Sequence, residues 1–462
     1  MIRRTVRFLD SRSGAAPALK KTLRYVFPDH WSFLLGEVAL YSFVVLVATG
    51  IYLTFFFEPS LAKTTYDGAY APLRGLEMSH AYRSAVDISL QVKAGLLIRQ
   101  THHWAADVFV AAIVIHVMRI FFTGAFRKPR ELTYIIGVFM LFAALLEGYL
   151  GYSMVDDLLS GMGLAIGYSV ANSVPLIGGN LALAIWGAPF PGDPSFESRM
   201  YILHVLVLPV VIGTLITVHL LLVASRHHTQ FRKKPKQTNR TLVGMPMFPA
   251  YAPRSLGLLF GTAGVLFLLG GLVQINPIWL WGPYHLADGT NGAQPDWYLG
   301  WLIGALRLVP SFDLTIGNYT LVPNPFWGGA LFPLLVMLLM LFWPSLERRV
   351  TGDRDAHNVL DRPRDAPSRT AFGAAFFSWV FLIFFAGAAD RVYLFLGWSY
   401  EAQIWVYRVL VVVLPLVVFF VTRKTCRELL ESEGIEAGRE AAEAEASAAR
   451  SAGPVPGRGL AR

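Results

Sequence analysis

Residues 95–122 read GLLIRQTHHWAADVFVAAIVIHVMRIFF. The run exceeds the roughly 20 residues that an α-helix, rising 1.5 Å per residue, needs to cross about 30 Å of hydrocarbon. Its histidines set it apart, because an imidazole inside a membrane is costly unless it is paired, liganded or facing a polar cavity. His102 and His116 are 14 residues apart. At 100° per residue that leaves them about 40° short of four full turns and roughly 21 Å apart along the axis. One helix face therefore carries two imidazoles, one toward each leaflet. His103 competes with His102 as the first of the pair, but it lies about 140° around the helix from His116, and His102 is preferred.

A second apolar run, about Met200 to Ala224, carries His204 and His219, 15 residues apart. These lie about 60° past four turns and again a little over 20 Å from each other. Two helices presenting matched pairs are able to clamp two stacked bis-histidine haems. Glycines add an independent pattern. Gly36 and Gly50 on the first span, and Gly137 and Gly151 on the third, are each 14 apart. A flat macrocycle between helices requires close backbones, which glycine permits. Arg99 and Arg119 sit one turn beyond His102 and His116, toward the two surfaces, where they suit haem propionates.

The rest of the chain fits this frame. With 54% hydrophobic and 15% charged residues in 462, there is too little polar surface to cover a soluble globule of this size. Further spans are expected at about Trp31 to Phe56, Thr133 to Tyr152, Ser255 to Gln274, Phe326 to Trp343, Phe372 to Ala388 and Ile404 to Thr422. The expected fold is all-α, a polytopic membrane bundle of about eight transmembrane helices with a four-helix di-haem core. Basic blocks, including Arg127 to Arg130, Arg232 to Lys236 and Arg348 to Arg369, all fall on one side, while the loop from Ser153 to Ser198 has four acids and no Lys or Arg. The basic side is then cytoplasmic, with both termini inside. This topology accounts for the net charge of +9 without nucleic acid binding.

Five segments follow: a cytoplasmic amphipathic arm over 1–30, the di-haem domain over 31–225, a basic cytoplasmic loop over 226–254, a second membrane domain over 255–422, and a polar tail over 423–462, disordered from about Gly453. The arm reads as a surface helix and not a cleaved signal, since no small-residue cleavage site follows an apolar core. The single cysteine, Cys426, excludes an intrachain disulfide, a Cys-x-x-Cys metal site or an iron–sulfur cluster built from this chain alone.

Arg-Gln-Thr-His at 99–102, His-Val-Met-Arg at 116–119, Gly36 with Gly50, Gly151-Tyr152, His204 with His219, and Pro295-Asp296-Trp297-Tyr298 together resemble the cytochrome b family of the cytochrome bc complexes. Gln274 to Trp279 and Arg362 to Asp365 are similar to its actinobacterial branch in particular. The resemblance runs from about residue 20 to 430. It implies two non-covalent b-type haems, an outer one held by His102 and His204 and of low potential, and an inner one held by His116 and His219. It also implies a subunit of a quinol:cytochrome c reductase that oxidises quinol outside and passes electrons through both haems to an inner quinone site, coupled to proton translocation in a respiratory chain. The substrate implied is menaquinol. The implied partners are a Rieske-type iron–sulfur subunit and a cytochrome c subunit, in a homodimeric core within a larger complex, with a terminal oxidase as a further candidate member, in a bacterial cell membrane.

Pro295 to Tyr298 stands where the family has Pro-Glu-Trp-Tyr, so Asp296 and Tyr298 are the implied catalytic residues, with Tyr152, Pro295 and Trp297 also binding quinone. Quinol oxidation releases two protons and needs a base near the membrane surface, a role that suits Asp296. Its side chain is one methylene shorter than the family's glutamate. Leu34 replaces the cysteine that attaches an additional haem in plastid-type proteins. His227 and His228 are expected to meet headgroups or solvent, and His30, His80, His285 and His357 to be structural. A transporter relaying protons through buried histidines is the alternative class, and it calls for ionisable groups near the midplane instead of in register toward both leaflets. A two-haem membrane anchor for a hydrogenase or formate dehydrogenase is the alternative among redox proteins, and it has no need of the second half.

Overall fold

The computed structural model describes residues 8, 10–14, 16–232, 237–288 and 294–451. Arg3, Arg4, Arg7, Lys233, Lys234, Lys236 and the end of the tail from Gly453 lie outside the described residues. Among those described, eight helices are long and apolar enough to cross a membrane: α1 Trp31–Thr54, α2 Gly95–Phe122, α3 Glu131–Ser153, α4 Phe196–Arg226, α5 Met247–Leu272, α6 Phe326–Thr351, α7 Pro367–Ala386, and α8, whose spanning part is Tyr400–Glu436.

α1 packs along α2, α4 along α3, and α2 touches both α3 and α5, so the first four spans form one bundle flanked by the fifth. Its interior is filled by Phe109, Ile113 and Val117 of α2, Val138, Leu141 and Ala144 of α3, and Ile212 of α4. The outward faces are as apolar as the core. Val210, Leu220 and Leu221 of α4, and Val409, Val412 and Phe420 of α8, are exposed. A helix apolar all round has lipid, not water, as its solvent. The strands are short two-stranded pairs in the loops, such as Val26–Phe27 antiparallel to Met245–Pro246 and Gln230–Phe231 parallel to Val359–Leu360.

Two loops fix the ends of the bundle. At the His116 end, the buried Arg130 donates from Nη1 to the His357 carbonyl (2.9 Å) and from Nη2 to the carbonyls of Arg226 (3.1 Å) and His227 (2.9 Å) and to Asn358 Oδ1 (2.8 Å). One side chain thus ties the start of α3 to the end of α4 and the loop after α6. Each hydrogen bond from a charged donor contributes about 1.5–3 kcal/mol. Arg130→Met is expected to lower stability by roughly 3 kcal/mol, read as a drop in the thermal unfolding temperature of the detergent-solubilised complex. An unchanged transition would mean that these loops are held elsewhere. At the other end, the segment between α5 and α6 folds over the His102 end and enters the short helix Gly300–Leu308.

α8 does not stop at Thr422. It continues as one helix to Ser451, and Glu433 on its extension pairs with Arg362 (2.9 Å) and Arg364 (2.6 Å).

Candidate functional site

The four histidines expected to act together face the interior of the α1–α4 bundle in two pairs. His102 and His204 have ring centres 6.2 Å apart. Two imidazoles bound through one nitrogen each to a common metal, at about 2 Å, have centres roughly 6 Å apart, so this separation suits an ion between them. His116 and His219 line a cavity of ≈ 860 Å³ at the opposite end, together with Gly36, Gly137 and Arg119.

A local irregularity in α4 brings the second pair member into line. Residues Leu203–Val207 form a π-turn around His204. Such a turn absorbs one extra residue, so the interval of 15 between His204 and His219 acts as the interval of 14 that His102 and His116 have on α2. The offset of about 60° past four turns thereby becomes the shortfall of about 40° that His102 and His116 also have.

Each of the four spaced glycines stands against one of the four rings. A Cβ on Gly36 would lie 3.3 Å from His116 Cε1, on Gly50 3.3 Å from His102 Cε1, and on Gly137 3.8 Å from His219 Cε1; on Gly151 it would run into His204 Cε1. The missing side chains make room for the imidazoles themselves. Gly151→Ala is expected to displace His204 and reduce bound haem, measured as haem per chain, whereas Gly137→Ala, with more room, is expected to keep it.

Hydrogen bonds select the imidazole tautomer at one end. The Thr49 hydroxyl donates to the Val45 carbonyl (2.7 Å), leaving its oxygen to accept His102 Nδ1–H at 2.9 Å. His204 Nδ1 lies 3.0 Å from Glu147 Oε1 and 3.1 Å from the Glu147 carbonyl. Both rings then have Nε2 as the free donor, the arrangement that a metal-ligating histidine requires. Of the two arginines, Arg99 donates to Ser89 Oγ (2.9 Å) and the Asn276 carbonyl (3.1 Å). Arg119 lines the cavity, and its buried Nη2 has no hydrogen-bond partner among the described residues. Buried donors of this kind fit the anionic edge of a haem.

Asp296 lies in the loop between α5 and α6, next to a single helical turn, Trp297–Leu299. Its Oδ1 accepts from His103 Nε2 at 2.5 Å and its Oδ2 from the Tyr298 hydroxyl at 2.8 Å. Burial pushes the Asp296 carboxyl up, but the charge on His103 and the hydrogen bonds from His103 and Tyr298 outweigh it and hold the group below its ordinary value. The Tyr298 phenol is pushed well above its usual value by burial, and the neighbouring Asp296 adds to the effect. Tyr298 packs over Gly148 of α3, and Tyr152, also buried, donates to the Leu159 carbonyl at 3.3 Å. Trp297 is 37% exposed and meets Tyr298 edge-on.

Several roles here were not read from the sequence. His103, set aside as a haem ligand, is the partner of Asp296, and Asp107, one turn further along α2, brings a third ligating atom within 4.8 Å of both. Asp107, Glu147 and Glu37 are acids inside apolar spans, which was itself the available signal. Glu37 accepts from Ser255 Oγ at 2.6 Å, from Tyr41 at 3.2 Å and from Tyr251. His228 is not at a headgroup surface: its ring packs against Tyr25, Phe27 and Phe33 beside the cavity. Burial there pushes it down to about 4.

A family model described as "Cytochrome b(N-terminal)/b6/petB" matches residues 107–283. Proteins named "Cytochrome bc1 complex cytochrome b subunit" are 46% identical over 437 residues in Mycobacterium leprae, covering 93% of this chain and 79% of that one. The corresponding values are 45% over 443 residues in Corynebacterium efficiens (93% and 80%) and 44% over 423 residues in Streptomyces coelicolor (92% and 77%). Among solved structures, a chain of "Hyperthermophilic respiratory Complex III" aligns with a TM-score of 0.63 over 91% of this chain and 100% of that one, at 19% identity, a likeness of fold. At such identity and coverage, the chain belongs to the cytochrome b family of the cytochrome bc1 complexes, haem-binding multi-pass membrane proteins that work with partner subunits in a respiratory complex.

Proposed function

We propose that the chain is the di-haem subunit of a menaquinol:cytochrome c oxidoreductase in a bacterial cell membrane, coupled to proton translocation. What supports this reading is a histidine pair at each end of one bundle, His102 and His204 ring to ring and His116 and His219 lining one cavity, each ring backed by its own glycine. His102 and His204 would hold an outer b-type haem and His116 and His219 an inner one, with Arg99 and Arg119 toward their propionates. Bound there, the haems supply one-electron transfer between an outer quinol site and an inner quinone site.

Outside, Asp296 offers an ionised carboxylate to a quinol hydroxyl, and Tyr298 and His103 hold it in place. Tyr152 and Trp297 wall the site, and Pro295 limits the motion of its loop. Inside, the cavity beyond His116 and His219 reaches Glu37, Tyr251 and Ser255, a carboxylate among hydroxyls that suits proton delivery to a quinone. Both termini are cytoplasmic by the distribution of Lys and Arg. Residues 31–225 serve as the di-haem domain, and 255–422 supply the quinol-site loop. The partners are a Rieske-type subunit and a cytochrome c subunit in a homodimeric core, within an assembly that also takes a terminal oxidase.

A reduced-minus-oxidised difference spectrum of the purified complex, with pyridine haemochrome quantification, tests this reading. Two b-type haems per chain are expected. No haem in the folded, assembled complex would overturn it and favour a proton-relaying transporter.

A further inference from the structure

The two histidine pairs are not supported alike. At the outer pair both Nδ1 atoms have partners: Thr49 for His102, and for His204 the Glu147 carbonyl at 3.1 Å with the carboxylate oxygen Oε1 of the same residue beside it at 3.0 Å. At the inner pair no carboxylate stands at either ring: His116 Nδ1 and His219 Nδ1 are buried without a hydrogen-bond partner among the described residues, and the group beside the His219 ring is the backbone of Thr133. Glu147 lies on α3, four residues before Gly151, so the residue that makes room for the His204 ring and the residue that holds it share one helix face. The side chains of His204 and Glu147 are only 15% and 18% exposed, and Glu147 Oε2 is buried with no partner of its own. Ionised beside that ring, its carboxylate would be weakly screened and directed at one imidazole.

We infer that Glu147 is a positioning residue that sets the outer site's redox potential below that of the inner site. The inference rests on the di-haem reading above. A carboxylate accepting the Nδ1–H of a metal-bound imidazole fixes the ring's orientation and tautomer and makes Nε2 a stronger donor. It also places an anion near the iron, and since the oxidised iron carries one more positive charge than the reduced one, both effects favour the oxidised form. Among the described residues, no such carboxylate stands at either histidine of the inner pair. The same fold thus yields an outer site that gives up its electron readily and an inner site that retains it, the gradient needed to move charge inward against a membrane potential.

The test is a potentiometric titration of the assembled complex, reading the two haems separately by their α-band spectra, for the parent, Glu147→Gln and Glu147→Asp. Glu147→Gln keeps the size and removes the charge. It is expected to keep two haems and to raise the outer midpoint potential, changing the electron partition between the haems by a factor of about ten or more, which for one electron is about 59 mV. Glu147→Asp, which retains the charge, is expected to move it less. Unmoved potentials in a two-haem Glu147→Gln complex would overturn the inference, as would an equal shift in Glu147→Asp. A parent complex that binds no haem would instead overturn the di-haem reading, so the two failures are distinguishable.

Discussion

Asp296→Asn is expected to cut menaquinol-dependent reduction of cytochrome c by about 10²–10⁴-fold, the usual contribution of a positioned general base, while the complex keeps both haems. Asparagine preserves the size and the contact with Tyr298 but cannot accept a proton. The same site carries a pH prediction whose sign follows from its neighbours. Burial alone would raise the Asp296 carboxyl, and His103, by its charge and its hydrogen bond, is the main influence holding it down. In the parent the acceptor is ionised throughout the neutral range, and it is lost only as the pH falls through a value below that of an ordinary carboxylate. His103→Gln removes the lowering influence, so the acid limb of the rate profile moves to higher pH. Initial rates across the acid-to-neutral range, with haem content measured in parallel, check both variants. Asp296→Asn turning over at the parent's rate would remove Asp296 from the reaction.

The bundle and its histidines were legible because they are periodic. A ring in a membrane helix must face inward, and two levels of imidazole about 21 Å apart require intervals near 14 residues, whichever residues surround them. The glycines were legible for the same reason, although the structure sets them against the imidazoles themselves. The π-turn at His204 was not legible, since bonding to the fifth residue has no residue signature in Leu-His-Val-Leu-Val. Its trace was the odd interval of 15. The His103–Asp296 pair joins residues 193 apart in the chain, and a doublet such as His102-His103 shows only that the second ring points about 100° away from the first. The continuation of α8 was obscured by composition. Ala, Glu and Arg leave little to bury, yet they are among the strongest helix formers, and a helix already nucleated in the membrane extends through them.

His219→Leu is expected to halve the haem content and abolish turnover, and its spectrum should retain the outer haem alone. The two levels are far enough apart for their losses to be nearly independent, so His102→Leu should remove the outer haem by itself and a double variant should bind none. The inner cavity contains its own control. His228 also lines it, within reach of the same space but outside the α2–α4 face that carries the paired rings, and it packs among Tyr25, Phe27 and Phe33 with no glycine opposite among the described residues. His228→Leu should therefore keep both haems. If His219→Leu kept two and His228→Leu lost one, the inner ligand would be His228. The π-turn would then lose its purpose, because the in-register interval it creates from His204 to His219 would align nothing.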